Sequence, residues 1–127
     1  MTNRLTEALS FEWRAERHLE ELLAQLAAVP PAPEQAARMA ELSASARSRR
    51  IRLERRLQAL LARPRLAPLP HPVDRLDEGL ESALALTRAA ADRYSALADL
   101  ARRLADPETA FACELNRIAA EEAALLL

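Results

Sequence analysis

The prolines of this 127-residue chain fall at only three places, and the sequence between them is built from residues that favour helix. Pro30, Pro31 and Pro33 form one break, Pro64, Pro68, Pro70 and Pro72 a second, and Pro107 follows Asp106 at a third. A proline inside a helix removes a backbone hydrogen bond and clashes with the turn before it, so these clusters end helices. At a helix start the same residue fits, and Asp106-Pro107 reads as an N-cap followed by the first helical position. The pattern predicts four helices, over 2–28, 34–62, 73–105 and 107–127, in one domain, with Thr2 or Asn3 capping the first. With two Val, two Ile and four aromatic residues in all, the chain lacks the material for a sheet. The fold class is all-α, a four-helix bundle.

Half of the residues are hydrophobic but only 3% are aromatic, so the core has to be aliphatic. All 18 basic residues are arginine, which points to a GC-rich bacterial genome; against 19 acids they leave a formal charge of -1. That balance gives no global attraction to nucleic acid or to an anionic membrane. Cys113 is the single cysteine, which excludes an internal disulfide framework and a four-cysteine zinc site. The chain opens on the polar Met1-Thr2-Asn3-Arg4, and no apolar run approaches the ~18 residues that span a bilayer. The expectation is a cytoplasmic protein with no membrane segment.

Apolar residues spaced three and four apart define the inward face of each helix. In the first they are Leu5, Ala8, Leu19, Leu22 and Leu26, and the same line runs through Glu12 and Ala15, with Glu16 bordering it one turn on. The second helix carries Met39, Leu42, Ala46, Leu53, Leu57 and Leu60 with Arg49 among them. The third carries Leu76, Leu80, Ala83, Thr87, Ala90, Tyr94, Leu97, Ala101 and Leu104. For the fourth the line is Phe111, Leu115, Ile118, Glu122 and Leu125. Superposed, the two helix pairs set Thr87 on Glu12, Glu122 on Ala46 and Leu125 on Arg49. An ionised carboxylate taken out of water costs several kcal/mol unless a cation meets it, so Glu12 and Glu122 call for a metal ion or an arginine; the alternative is a slightly rotated first helix with Glu12 and Glu16 solvated at the margin of its face, and an Arg49 that reaches the bundle edge.

The segment Tyr94-Ser-Ala-Leu-Ala-Asp-Leu-Ala-Arg-Arg-Leu-Ala-Asp-Pro-Glu, then Phe111 and Ile118-Ala-Ala-Glu-Glu-Ala-Ala-Leu, resembles the second helix pair of ferritin-like proteins of the rubrerythrin branch. The likeness covers the last two helices well and the first two loosely. It implies two antiparallel pairs with helices 2 and 3 parallel, and two irons held by a Glu from the first helix of each pair and a Glu-x-x-His from the second. Position by position, Glu12 matches the first carboxylate, while Ala46 and Arg49 stand at the Glu and His places of helix 2. Thr87 stands where helix 3 would bring its carboxylate. Glu122 keeps the acid of helix 4, and Leu125 replaces its histidine. Neither Arg nor Leu donates a lone pair to iron, so the resemblance carries a degenerate metal centre.

These residues leave three readings of function. The first is a non-catalytic binding or structural protein with no cofactor, in which Arg49 replaces the metal and bridges Glu12 and Glu122; Arg50 beside it is the other candidate. The second keeps iron or manganese on Glu12, Glu16 and Glu122, helped by Glu121 and Glu114, as an oxidase or an iron-storage relative. The third is a helical chaperone or adaptor with an open apolar groove. In each the partner is a protein, and the apolar end of the fourth helix, Ala123 to Leu127, points to a homodimer. His18 reads as a surface residue, His71 falls in a proline-rich loop, and Cys113 beside Glu114 reads as an inert thiol. The run Arg47, Arg49, Arg50, Arg52, Arg55 and Arg56 has no interleaved aromatics, and Arg52, Arg55 and Arg56 read as an outward face rather than a nucleic-acid surface. One alternative concerns topology. A parallel second pair needs a connection along a helix of ~43 Å, while Arg63 to Pro72 reaches ~31 Å as polyproline; simple up-down-up-down packing is the other solution.

Overall fold

The computed structural model describes residues 4–28, 33–60 and 76–127, the side chains of residues 76–78 excepted. Thr2, Asn3, His71 and the prolines at 30, 31, 64, 68, 70 and 72 lie outside the described residues, as does the side chain of Leu76. The chain forms α1 (Arg4–Ala28), α2 (Pro33–Ala59), α3 (Leu76–Arg103) and α4 (Pro107–Leu126), with no strand among the described residues. None of these helices is long and apolar enough to cross a membrane. Pro33 occupies the first position of α2, where its missing N–H costs nothing.

The turn between α3 and α4 is closed by two local devices. Asp106 N–H bonds the Ala101 carbonyl at 2.9 Å and Ala105 N–H bonds the Arg102 carbonyl at 3.1 Å, the pair of bonds that ends a helix through one left-handed residue. That residue is Ala105, at φ 56°. Asp106 then caps α4 as its sequence position predicts: its carboxylate accepts from Thr109 N–H at 3.0 Å and from the Thr109 hydroxyl at 2.6 Å. Burial alone would raise this carboxyl, but the Thr109 bonds and the charge of Arg56 outweigh it and hold it below its usual range.

In the bundle α1 packs on α2 and α3, and α4 packs on α3 and α2, which leaves α1/α4 and α2/α3 on the diagonals. Two apolar clusters give the directions. One gathers Leu5, Leu9 and Trp13 of α1 with Leu53 and Leu57 of α2, Tyr94, Leu97 and Ala101 of α3, and Ala110 and Cys113 of α4. The other gathers Leu19, Leu22, Leu23 and Leu26 with Met39, Leu42, Ala46, Ala83 and Ala123. The start of α1 therefore lies with the ends of α2 and α3 and with the start of α4. Every adjacent pair is antiparallel, while α2 and α3 run parallel across a diagonal. This excludes the up-down-up-down ring and requires the chain to pass from one end of the bundle to the other between Ala59 and Leu76. Between Ala59 and Leu76 the 16 intervening residues can span up to ~50 Å as extended polyproline, more than the ~40 Å of α2.

The inward lines of α1, α2 and α3 are met, and that of α4 is not. Leu5, Glu12, Leu19, Leu22 and Leu26 are buried, with Leu9, Trp13, Glu16 and Leu23 widening the face, and Ala8 and Ala15 are half-buried. Met39, Leu42, Ala46, Arg49, Leu53 and Leu57 are buried on α2, and on α3 Ala83, Thr87, Ala90, Tyr94, Leu97 and Ala101 are buried, Leu80 is half-buried, and Leu104 is exposed just beyond the helix. On α4 the residues facing inward are Thr109, Ala110, Ala112, Cys113, Asn116, Ala120 and Ala123. Phe111, Leu115, Ile118 and Leu125 are exposed. The helix lies against the Ala90, Ala91, Ala98 and Ala101 face of α3, and small residues on both sides permit an approach that a phenyl or isobutyl group would block. Replacing Ala105→Gly removes the left-handed penalty at the α3–α4 turn and is expected to stabilise the protein by about 0.5 to 1 kcal/mol, read as a higher urea midpoint at unchanged m.

Candidate functional site

Between the two apolar clusters lies a layer of buried polar side chains: Glu12, Glu16, Arg49, Thr87 and Asn116, with the Tyr94 hydroxyl. Its centre is an ion pair between α1 and α2. Arg49 Nε donates to Glu16 Oε2 at 2.5 Å and Arg49 Nη2 to Glu16 Oε1 at 3.2 Å, a two-point fit with each side chain 1% exposed. The Tyr94 hydroxyl, from α3, donates to the same Glu16 Oε2 at 2.6 Å. Arg49 Nη1 donates to Ser45 Oγ at 2.8 Å. From α4, Asn116 Nδ2 donates to the Arg49 carbonyl at 3.1 Å and Asn116 Oδ1 accepts from Arg52 Nη1 at 2.5 Å. Each helix contributes to this connected set. Thr87 bonds its own helix, through the Ala83 carbonyl at 2.6 Å.

Glu12, one turn before Glu16, takes a different partner. Its Oε1 accepts from Arg93 Nε of α3, and its buried Oε2 has no partner, nor has the indole N–H of Trp13. Burial is the largest influence on this carboxyl and raises it from the ordinary 4.5 to about 7, against the bond and charge of Arg93; the neighbouring Glu16 pushes the same way as burial. Tyr94 is held well above its ordinary range, first by burial and then by Glu16, so its hydroxyl remains a donor. Burial pushes the Cys113 thiol up to about 12, with Glu12 and Glu114 adding to the effect, which makes it a packing residue rather than a nucleophile.

The bridge expected from Arg49 to both Glu12 and Glu122 does not form. Arg49 is buried as expected, but its fork is filled by Glu16, and Glu12 meets Arg93. Glu122 is exposed, because the true inner face of α4 is turned away from the line Phe111 to Leu125. In the four-three-four spacing that α4 buries, Asn116 holds the place that Arg49 holds on α2, not Leu125. Nor do the acids of the metal reading converge. Glu114 and Glu121 pair with Arg117 on the outer side of α4, at 3.0 and 2.9 Å, while Glu12 and Glu16 face the interior. Among the described residues no three His, Cys, Asp or Glu side chains gather as metal ligands. Arg50 is not the interior cation: it pairs with Glu20 at 2.8 Å and lies over the Trp13 ring. Of the residues read as an outward face, Arg55 is exposed, but Arg52 reaches Asn116, and Arg56 reaches Thr109 and Glu108 at 3.2 Å each, fastening α2 to α4. His18 is half-buried, and burial lowers its pKa.

Sequence reasoning missed the roles of Arg93, Tyr94 and Asn116. Tyr94 already stood on the inward line of α3, where a hydroxyl at mid-bundle needs an acceptor. Asn116 was equally legible, since Thr109, Cys113, Asn116, Ala120 and Ala123 keep four-three spacing; it was hidden because that line lacks large apolar residues.

Two stability experiments test this layer. Arg49→Leu leaves Glu16 buried without its cation and is expected to cost about 3 to 5 kcal/mol. The triple change Glu16→Leu, Arg49→Leu and Tyr94→Phe is expected to recover most of that loss in chemical denaturation. For Glu12 the folded pKa lies above the unfolded one. Between about pH 4.5 and 7 the unfolded chain releases a proton that the folded chain keeps, so stability falls as pH rises through that window. Glu12→Gln is expected to remove this contribution and to exceed the parent at pH 8 by about 1 to 3 kcal/mol in urea denaturation; a difference that does not change with pH would contradict the assignment.

No family model matches the chain, and no curated protein matches its sequence. Among solved structures, a protein of Xanthomonas campestris pv. campestris superposes with a TM-score of 0.85 over 96% of this chain and 84% of that one, at 23% identity. At that identity the likeness is one of fold: a four-helix bundle of the same architecture.

Proposed function

We propose that this is a non-catalytic binding or structural protein of the cytoplasm, a ferritin-like bundle in which an arginine–glutamate pair stands where a metal centre would be. The observation that carries the reading is the two-point bond of Arg49 to Glu16, buried at mid-bundle and completed by Tyr94. A guanidinium there supplies the positive charge a metal would supply, but it has no lone pair and no open coordination position. The parallel α2 and α3 agree with the one-crossover topology of ferritin-like bundles, and support the same reading.

The partner in this proposal is a second copy of the chain, seated on the outer face of α4. Phe111 (65% exposed), Leu115, Ile118 and Leu125 (86% exposed) share one side of that helix, with Leu126 beside it. Together they form a contiguous exposed apolar strip, the kind of surface that marks an interaction site. The line suits a two-fold axis at Ile118: Ile118 meets its copy, and Phe111 of each chain meets Leu125 of the other in antiparallel packing.

Elemental analysis of protein purified without chelator, and again after aerobic loading with ferrous iron, tests the interior. Folded protein with no bound metal is expected; near-stoichiometric iron or manganese that disappears in Glu12→Gln would overturn the proposal. Sedimentation equilibrium tests the surface, with a dimer expected for the parent and a folded monomer for Ile118→Glu. A parent that stays monomeric at high concentration would overturn the dimer and leave the α4 face to a client helix.

A further inference from the structure

Away from both the interior layer and the α4 face, a cleft of about 340 Å³ opens between the first half of α1 and the last half of α3. Its walls are apolar: Ala8 and Phe11 on one side, Ala96, Leu97 and Leu100 on the other. Its remaining lining is charged. Glu12 and Arg93, paired with each other, lie at mid-bundle, and Arg4 and Arg103 lie toward the end where α1 begins and α3 finishes. Phe11 is half exposed and its ring lies 5.3 Å from the Arg93 guanidinium carbon, so the inner cation is covered on one side by an aromatic face.

The two ends differ in charge. Glu12 pairs with Arg93, whereas Arg4 and Arg103 are exposed and make no ion pair with any described residue. The exposed acids Glu7, Asp92 and Asp99 are adjacent in sequence to lining residues but do not line the cleft, and Asp99 is paired with Arg102 at 3.1 Å. The lining is thus cationic at its outer end, apolar along its length and internally compensated at its inner end. The distance from Arg4 to Glu12 along α1 is about 12 Å, and the volume lies in the range of small-molecule sites.

We infer that this cleft binds a small amphipathic anion, a medium-chain aliphatic carboxylate, with its head group between Arg4 and Arg103 and its chain against Phe11, Ala96, Leu97 and Leu100. Charge sets the polarity of the ligand. A carboxylate at the outer end gains two guanidinium partners in charge-assisted bonds. At the inner end a second anionic group would meet the Glu12 carboxyl, so the ligand carries its charge at one end only. A cation of the same length would be opposed by both free arginines.

The test uses sodium decanoate, below micelle-forming concentration, in calorimetric titration of the full chain. One saturable site per chain is expected. The double variant Arg4→Ala, Arg103→Ala is expected to weaken it by about tenfold or more. Ala96→Trp, a change at an exposed rim position, is expected to abolish it by filling the cleft while leaving the circular dichroism spectrum intact. Decyltrimethylammonium is expected not to bind. Ile118→Glu is expected to bind decanoate as the parent does, which separates this site from the dimer face. No saturable binding, undiminished binding in the arginine variant, equal binding of the cation, or binding that survives Ala96→Trp and is lost in Ile118→Glu would each overturn the inference.

Discussion

Glu16 and Arg49 are withdrawn from water together, and the cost of that withdrawal shapes the bundle around them. Two buried charges are tolerated only when their hydrogen-bonding capacity is nearly filled, and here α2 itself and the neighbouring helices supply the partners. Ser45 takes one guanidinium nitrogen, Tyr94 bonds the carboxylate, and Asn116 bonds the backbone carbonyl of Arg49 while accepting from Arg52. The result is a polar layer that separates two aliphatic clusters. A rotation of any one helix about its axis would strand a charge, so the layer determines how the helices face one another, and the leucines above and below provide most of the stabilisation.

The topology follows from what this layer needs. Glu12 and Glu16 sit on one helix and find partners on two, Arg49 of α2 and the Arg93–Tyr94 pair of α3, so α1 has to lie between those helices. An up-down-up-down ring would put α1 and α3 on a diagonal and move Arg93 and Tyr94 out of reach. Running α2 and α3 parallel on the diagonal instead makes α1 the neighbour of both and brings α4 against α2, where Asn116 and Thr109 receive Arg52 and Arg56. Within that arrangement Glu12 is the least satisfied member, with one oxygen unpartnered and a carboxyl raised toward neutrality.

The inversion of α4 has a different origin. A helix packed closely against an alanine-rich neighbour buries its small side, and the large residues then occupy the outer face. That leaves Phe111, Leu115, Ile118 and Leu125 as surface. Size complementarity overrides hydrophobicity, because a close-packed interior rejects volume that does not fit.

Helix formation, the break at Asp106-Pro107 with its cap, and the inward faces of α1 and α2 and most of that of α3 were determined by the sequence alone, since each rests on interactions within a few residues or on strong three-four spacing of large aliphatic groups. Glu12 and Arg49 were legible as buried charges for the same reason: they interrupt lines that are otherwise apolar. Which acid meets which arginine was decided by the tertiary structure, because Glu12 and Glu16 share one helix face and only the positions of α2 and α3 assign Arg49 to the second and Arg93 to the first. The facing of α4 was also decided there. In a helix rich in alanine, burial yields little free energy per residue, so several rotations are nearly equivalent until a neighbour's shape and the bonds of Asn116 to Arg49 and Arg52 select one.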